Sequence, residues 1–471
     1  MNHSHCVIRF APLAVAVNLL FSAAPAFAAG FALQENSASG LGNAYAGGAA
    51  SADDASTLWS NAAGIARLGS GQVVGVLHLI QPSLKFSNAN SLPALNQPLG
   101  GEGGDAGSLN FVPNLYATMP INKQWTLGLG LNAPFGLVSE YDNGWIGRFQ
   151  AIKSDIKTLN VNPTVAWKPV ENFAIGLGVN YQKLDGTFTS QVNYSAALLG
   201  AAAQAGYAPG SPTSNAIAAA TPGLESSANI KGSDYAWGWN LGVMFEIDSA
   251  SRIGAQYRSA IKYTLEGDAS FTNPTLPAVP PSLGPLVAGL AAAVNAGALY
   301  NSGITSQIKL PEIVNVSYFR SIDARWDFMA DVQYTGWSSI QALTFVRTDG
   351  ALLQSTTENF RDAWRFAVGT NYRYDERWLL RAGLAYDQSP VQDADRTARL
   401  PDADRTYLAL GAKYKSTPSL WFDFGAAYLW IRSASIDAIS QSPASVAQYG
   451  LINGSYHSNA VVVSGQVTYA F

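Results

Sequence analysis

Cysteine is all but missing from this chain, and the only one, Cys6, falls within the first ten residues. Arg9, the apolar run from Ala11 to Phe21 and the small-residue pattern Ala26-Phe27-Ala28 read as a secretory signal peptide over residues 1–28. Cys6 lies too early in it, with the wrong neighbours, to be a lipoprotein acylation site. The mature chain, expected to start at Ala29, then has no thiol, no disulfide and no Cys-based metal site. That suits an oxidising compartment without demanding one.

Histidine is nearly as scarce. His3 and His5 fall in the leader, and His78 and His457 are isolated. No His-Glu-Xaa-Xaa-His pair, nucleophile elbow or phosphate loop is present, so no catalytic, cofactor or metal site is expected. Ser, Asp and His residues meeting across the fold, as in an outer-membrane lipase, are the alternative to a non-enzymatic chain. Charge is scarce too: Asp, Glu, Lys and Arg make up 13% of the residues, about half the usual share. The net charge of -4 gives no support for nucleic-acid binding. Beyond the leader no run of eighteen apolar residues occurs, which excludes a transmembrane helix.

What the chain does have is 44 Gly, 21 Tyr and 12 Trp, arranged in alternation. From Trp237 to Glu246 one face reads Trp, Trp, Leu, Val, Phe and the other Gly, Asn, Gly, Met, Glu. A period of two puts these sets on opposite faces of a strand. The pattern returns at Trp125–Leu131, Ile175–Tyr181, Ile253–Tyr257, Trp326–Tyr334, Trp364–Tyr372, Leu380–Tyr386, Leu408–Tyr414 and Phe422–Trp430. Gly and charged groups share the second face, as in Arg365, Ala367, Gly369, Asn371 and Arg373. An aromatic, branched face toward lipid and a polar face toward a lumen describe a barrel wall. Charges such as Asp327, Asp331, Arg365 and Arg381 are then expected to pair inside it.

The connections supply an independent count. Short ones fall at 120–124, 169–172, 248–251, 321–323, 375–377 and 416–419, and long ones near 87–109, 133–155, 190–233, 265–303, 337–361, 388–403 and 434–455. Six short and seven long connections predict an all-β fold: a fourteen-stranded antiparallel transmembrane barrel over residues 71–471. Both of its ends belong on the short-turn, periplasmic side. The apolar piece Ala342–Val346 would make the number odd, so it reads as a strand extension or loop hairpin. Val461, Val463, Val467, Tyr469 and Phe471 share one face of the last strand. That terminal Phe471 resembles the signal read by the barrel assembly machinery.

Residues 29–70 differ. They are rich in small and polar residues, with Gly40, Gly42, Asp53, Asp54 and Asn61 among them, and are expected to form a plug in the lumen rather than a membrane strand, with an exposed N-terminal tail as the alternative. Two external insertions, 196–220 and 282–299, are unusually apolar. Leu198 and Leu199 mark the first; Leu283, Leu286 and Leu290 recur at helical spacing in the second. Two readings fit: the helices cover each other, or they form a groove that captures an apolar molecule. Arg148 and Lys183 are candidate partners for a substrate carboxylate, with loop fixation and a lumenal position as their plainer alternatives. Pro113, in Asn110-Phe111-Val112-Pro113-Asn114, is the candidate for an interrupted ladder.

Taken in order, several words resemble the FadL/OmpP1/TodX family of outer-membrane transporters. They are Ser39-Gly40-Leu41-Gly42-Asn43-Ala44-Tyr45-Ala46-Gly47, Ala52-Asp53-Asp54-Ala55, Asn61-Ala62-Ala63-Gly64, Ala133-Pro134-Phe135-Gly136-Leu137, Trp145-Ile146-Gly147-Arg148, Tyr334-Thr335-Gly336-Trp337-Ser338, Arg361-Asp362-Ala363-Trp364-Arg365-Phe366 and Leu400-Pro401-Asp402-Ala403-Asp404-Arg405. Asn61-Ala62-Ala63-Gly64 departs from the family's usual Asn-Pro-Ala. The resemblance implies a barrel closed by an N-terminal hatch, uptake of long-chain fatty acids or similar hydrophobic molecules, and lateral release at a kinked strand. It also puts Phe135 and the greasy loops on the substrate path. A monomer in contact with outer-membrane lipid and lipopolysaccharide is the expected state. Aromatic hydrocarbon uptake, or a surface adhesin or phage-receptor role for the loops, are the alternatives.

Overall fold

In hydrocarbon no water is available to a free backbone N–H or C=O, so a sheet can cross a membrane only by closing on itself. The computed structural model describes residues 30–437 and 443–471, and the expected signal segment lies outside them. The first strands are β1 (Gln72–Asn88), β2 (Asn110–Pro120), β3 (Trp125–Asn132), β4 (Gly136–Glu140) and β5 (Lys153–Val170). They are followed by β6 (Phe173–Asn193), β7 (Glu225–Glu246), β8 (Ser251–Arg258), β9 (Ile261–Thr272) and β10 (Ser302–Leu310). Next come β11 (Ile313–Ser321), β12 (Trp326–Thr335), β13 (Ala342–Arg347), β14 (Leu352–Thr357) and β15 (Ala363–Arg373). The series ends with β16 (Trp378–Asp387), β17 (Arg405–Thr417), β18 (Leu420–Ile431), β19 (Ala434–Asp437) and β20 (Asn453–Ala470).

Six crossings are built from two segments each: β3–β4, β8–β9, β10–β11, β12–β13, β14–β15 and β18–β19. Twenty segments therefore make fourteen antiparallel crossings, the number that loop parity predicted. Closure comes from β1 and β20, paired from Gln72↔Ala470 to Asn88↔Gly454. Beyond that ladder the Phe471 amide donates to the Gly71 carbonyl at 2.9 Å. Ala342–Val346 lies in an outer hairpin of β13 and β14, an extension of a crossing rather than a crossing of its own.

The wall is turned inside out relative to a soluble sheet. Trp237, Trp239 and Phe245 of β7, and Val461, Val463, Val467 and Tyr469 of β20, stand exposed on the outside. Ring pairs mark two belts. Trp125–Trp167, Trp326–Tyr372 and Trp378–Tyr414 lie beside the short turns, and Trp239–Tyr257, Tyr334–Trp364 and Tyr428–Trp430 lie at the opposite level. On β12, Trp326 and Tyr334 are eight residues apart, about 27 Å along a strand, which with strand tilt spans a band of roughly 25 Å or less. The inner face carries the charges. Arg381 pairs with Asp423 at 2.5 Å, Arg373 with Asp327 at 2.7 Å and Arg365 with Asp331 at 4.0 Å.

Residues 30–70 lie against that inner face as three short helices, α1 (Ala38–Leu41), α2 (Gly48–Ser51) and α3 (Thr57–Ser60), and a 3-10 turn (Ala62–Arg67). Asp54 accepts from Ser39, Ser56 and Gln466. The Asn61 side chain donates to Ala49 O at 2.6 Å and Val243 O at 2.9 Å, and accepts from Ala63 N. Asp53 lies 3.5 Å from Arg381. Gly42 backs onto the Cα of Gly411, and Gly40 sits under the Tyr45 ring.

These contacts explain why glycine shares the inner face with charge. A Cβ on Gly254 would meet Ala49 O at 1.8 Å, and one on Gly383 would meet Asn43 C at 2.1 Å. Backbone approaches backbone there, and only glycine leaves room. Gly254→Val should cost about 1–3 kcal/mol. Gly75→Val, whose added carbon meets nothing within 4 Å, should be nearly neutral in the same urea unfolding series. Equal midpoints for the two variants would contradict this packing.

Candidate functional site

A proline inside a ladder removes a donor and bends the strand. Two prolines flank the place where the β2–β3 pairing ends, Pro113 on β2 and Pro134 after β3. Pro113 sits opposite Leu77 in an unbroken β1–β2 register. The β2–β3 ladder stops at Leu115↔Leu131, and after Asn132 the chain turns inward through Ala133, Pro134 and Phe135. Gly136, Leu137, Val138 and Ser139 of β4 are all buried, so alternation is lost where the strand leaves the wall.

The edge that β4 turns away from β2 is covered from within. Leu33 N donates to Pro134 O at 2.8 Å, and Gly136 N donates to Phe31 O at 2.7 Å. On its other side Phe135 stays tied to β5, with its N–H on the Thr158 hydroxyl at 2.9 Å. Between β2 and β4 this leaves an opening in the ladder from Asn110 to Asn114, among the described residues. It closes again above, where Glu140 N bonds to Ala106 O.

The external helices are α4 (Tyr194–Gln204), α5 (Pro212–Ala220) and α6 (Gly284–Gly297). Leu198 and Leu290 are buried between them, and Leu283 and Leu286 pack at the edge of that contact. Leu199 also packs against that cluster. With Leu95, Phe149, Ala203, Ile230 and Phe271 it lines a cavity of about 850 Å3. The helices therefore cover each other on one side and bound a largely apolar cavity on the other.

A second, smaller cavity of about 40 Å3 lies inward, lined by Phe31, Leu137, Phe188, Ile340, Phe360, Glu358 and Arg399 among others. Ile230, on the outer cavity, is the direct cross-strand partner of Phe188, on the inner one. Phe188 also meets Phe345 at 5.5 Å, so one layer of side chains divides the two spaces. Phe31 in turn meets Trp337 at 4.9 Å and Phe135 at 6.0 Å, which joins the inner cavity to the inward turn.

Neither charged candidate lines either cavity, although Arg148 lies 4.5 Å over the ring of Phe149, which lines the outer one. Arg148 is buried, with Nε on Glu225 at 2.8 Å and its terminal nitrogens on the carbonyls of Leu99, Trp145 and Pro98. It ties external loops together, the plainer of its two readings. Lys183 faces outward, paired with Asp185 at 2.8 Å and lying over the Tyr235 ring. A shift of one residue in the assumed face was enough to misplace it.

The charged groups at the inner cavity are Glu358 and Arg399, and residue-type reasoning passed over both. Their signal was position: Arg399 directly precedes Leu400-Pro401-Asp402, and Glu358 stands three residues before Arg361-Asp362. Both lie in connections beyond the strand ends. Burial pushes the Glu358 carboxyl up to about 8, against the pull of Arg399 and helped by Asp395. Burial also lowers the Arg399 guanidinium to about 10, with Glu358 opposing.

A closed fourteen-crossing barrel with an apolar cavity at its mouth, a second cavity inside and an opening in its wall defines an outer-membrane channel for apolar molecules. The family model of the outer membrane protein transport proteins (OMPP1/FadL/TodX) matches residues 19–471, and the chain belongs to that family. It is 32% identical over 444 residues to the long-chain fatty acid transport protein of Escherichia coli, covering 90% of this chain and 92% of that one. It is also 32% identical over 440 residues to outer membrane protein P1 of Haemophilus influenzae, covering 89% and 90%. A solved Pseudomonas aeruginosa FadL homologue superposes with TM-score 0.81 at 24% identity, over 94% of this chain and all of that one, and shares the fold. The protein is an outer-membrane protein.

Arg148→Ala, which strands Glu225 and three carbonyls, should lower stability by about 3 kcal/mol. It should leave binding of fatty carboxylates to the folded barrel unchanged, as read by calorimetric titration. Loss of binding without loss of stability would return Arg148 to the substrate path.

Proposed function

We propose that the chain carries long-chain fatty acids, or molecules of similar apolar character, passively across the outer membrane. The observation that carries this reading is the pair of cavities whose linings adjoin at the Phe188–Ile230 cross-strand pair. Each methylene moved from water to an apolar surface gains about 0.8 kcal/mol, so the outer cavity captures the tail. The molecule then passes the side-chain layer to the inner cavity beside Phe31. Exit follows where β4 leaves β2, a position supported by the inward turn at Pro134 and the ladder's end at Leu115↔Leu131.

Residues 30–70 act in this reading as a plug that denies water a straight path. No chemical step and no nucleotide are involved, and the concentration gradient drives the flux. The barrel works as a monomer, with lipopolysaccharide around its outer half, and Phe471 is the mark read by the assembly machinery. These last points rest on the family's habit and the sequence pattern.

Gly200 offers a test, because it lines the outer cavity and an added Cβ there meets nothing within 4 Å. Gly200→Trp should fill the cavity without disturbing the fold. Transfer of fluorescent oleate into vesicles holding the variant should slow several-fold relative to the wild-type barrel. Equal rates would contradict capture at this cavity.

A further inference from the structure

A conduit meant only for hydrocarbon has no use for charge in its inner cavity, since burying an ionised group costs several kcal/mol unless it is paired. Yet the inner cavity holds one guanidinium and one carboxyl, set among Phe31, Leu137, Phe188 and Phe360. They come from separate connections, Glu358 between β14 and β15 and Arg399 between β16 and β17. Both side chains border the cavity, but they do not form an ion pair. The Arg399 side chain contacts only Lys153 O at 3.4 Å and Ser154 Oγ at 3.5 Å among hydrogen-bond acceptors, both long, and stands over the Phe188 ring.

Resting on the uptake reading, we infer that Arg399 and Glu358 together form a receptor for a substrate carboxylate at the inner cavity. Arg399 supplies the charge, and the protonated Glu358 carboxyl donates its O–H to one carboxylate oxygen. The cavity's volume of about 40 Å3 matches a headgroup rather than a chain. The tail needs Ile340, Leu343 and Phe360 to part. Charge-assisted hydrogen bonds of both kinds are short and about twice as strong as neutral ones. A molecule with no carboxylate gains neither, so the pair selects fatty acids over hydrocarbons of equal apolar area.

The pair also fixes a pH dependence. Three titratable or charged groups face one another here: Glu358, Arg399 and Asp395 of the neighbouring turn. Free protein keeps Glu358 protonated until about pH 8. Above that, binding must take up a proton, and affinity falls toward tenfold per pH unit. Below it affinity is flat until the ligand's own carboxyl protonates.

Decanoate and 1-decanol, titrated calorimetrically into the full barrel in detergent, test this. Arg399→Met should weaken decanoate tenfold or more and decanol less than twofold, and retained decanol binding reports an intact fold. Wild-type affinity for decanoate should fall above pH 8, while Glu358→Gln, which keeps a donor but cannot ionise, should abolish that fall. If Arg399→Met weakens both ligands alike or neither, or if Glu358→Gln keeps the wild-type pH profile, the receptor is wrong and the uptake reading stands. If wild-type protein binds neither ligand, the uptake reading falls with it.

Discussion

Backbone hydrogen bonding in the absence of water governs this structure. Every strand must find two partners, and the ring from β1 round to β20 supplies them through fourteen crossings. The same requirement makes the one lateral opening informative. Where β4 abandons β2, it does not leave its edge bare, because Phe31 and Leu33 bond to Pro134 and Gly136 from inside the bore. The N-terminal segment and the wall opening are therefore one hydrogen-bonded unit. Movement at Phe31 must alter the wall at Gly136.

A bore this wide must hold water or be filled, and residues 30–70 lie against its inner face. Filling with backbone rather than with large side chains requires a smooth wall, which accounts for Gly254 and Gly383 facing Ala49 and Asn43. It also buries polar groups, and they are met by polar groups of the wall. Arg252 donates to the carbonyls of Ala50 and Ser51, and Arg258 lies 3.5 Å over the Trp59 ring while donating to Trp59 O. Buried pairs of this kind fix an arrangement more than they add stability. Asp402 accepts from Gly30 N at 2.9 Å and pairs with Arg405, which sets the start of the segment beside the inner cavity.

Strand number, face and closure were legible because lipid imposes alternation wherever it touches the wall. Above the membrane that imposition ends, and so did the legibility. The β6–β7 ladder runs on to Asn193↔Glu225, well past Tyr181, but Lys183, Thr187, Thr189 and Gln191 on its outer face meet no hydrocarbon and show no pattern. The same absence hid the orientation of Lys183. Proline marks both edges of the broken ladder, Pro113 on β2 and Ala133-Pro134-Phe135 one strand later. Which strand turns inward is not written in either word, because pairing is a property of two strands rather than of one. Glu358 and Arg399 were invisible for a related reason: 41 residues apart in sequence, they meet only after two loops fold into the barrel mouth.

The central claim is that residues 30–70 fill the bore and leave an apolar side path instead of an aqueous pore. Planar-bilayer recording of the purified barrel tests it most directly. The wild-type barrel should stay closed to ions at all applied voltages below those that disrupt the membrane. Large, steady ohmic steps from the intact protein would contradict it.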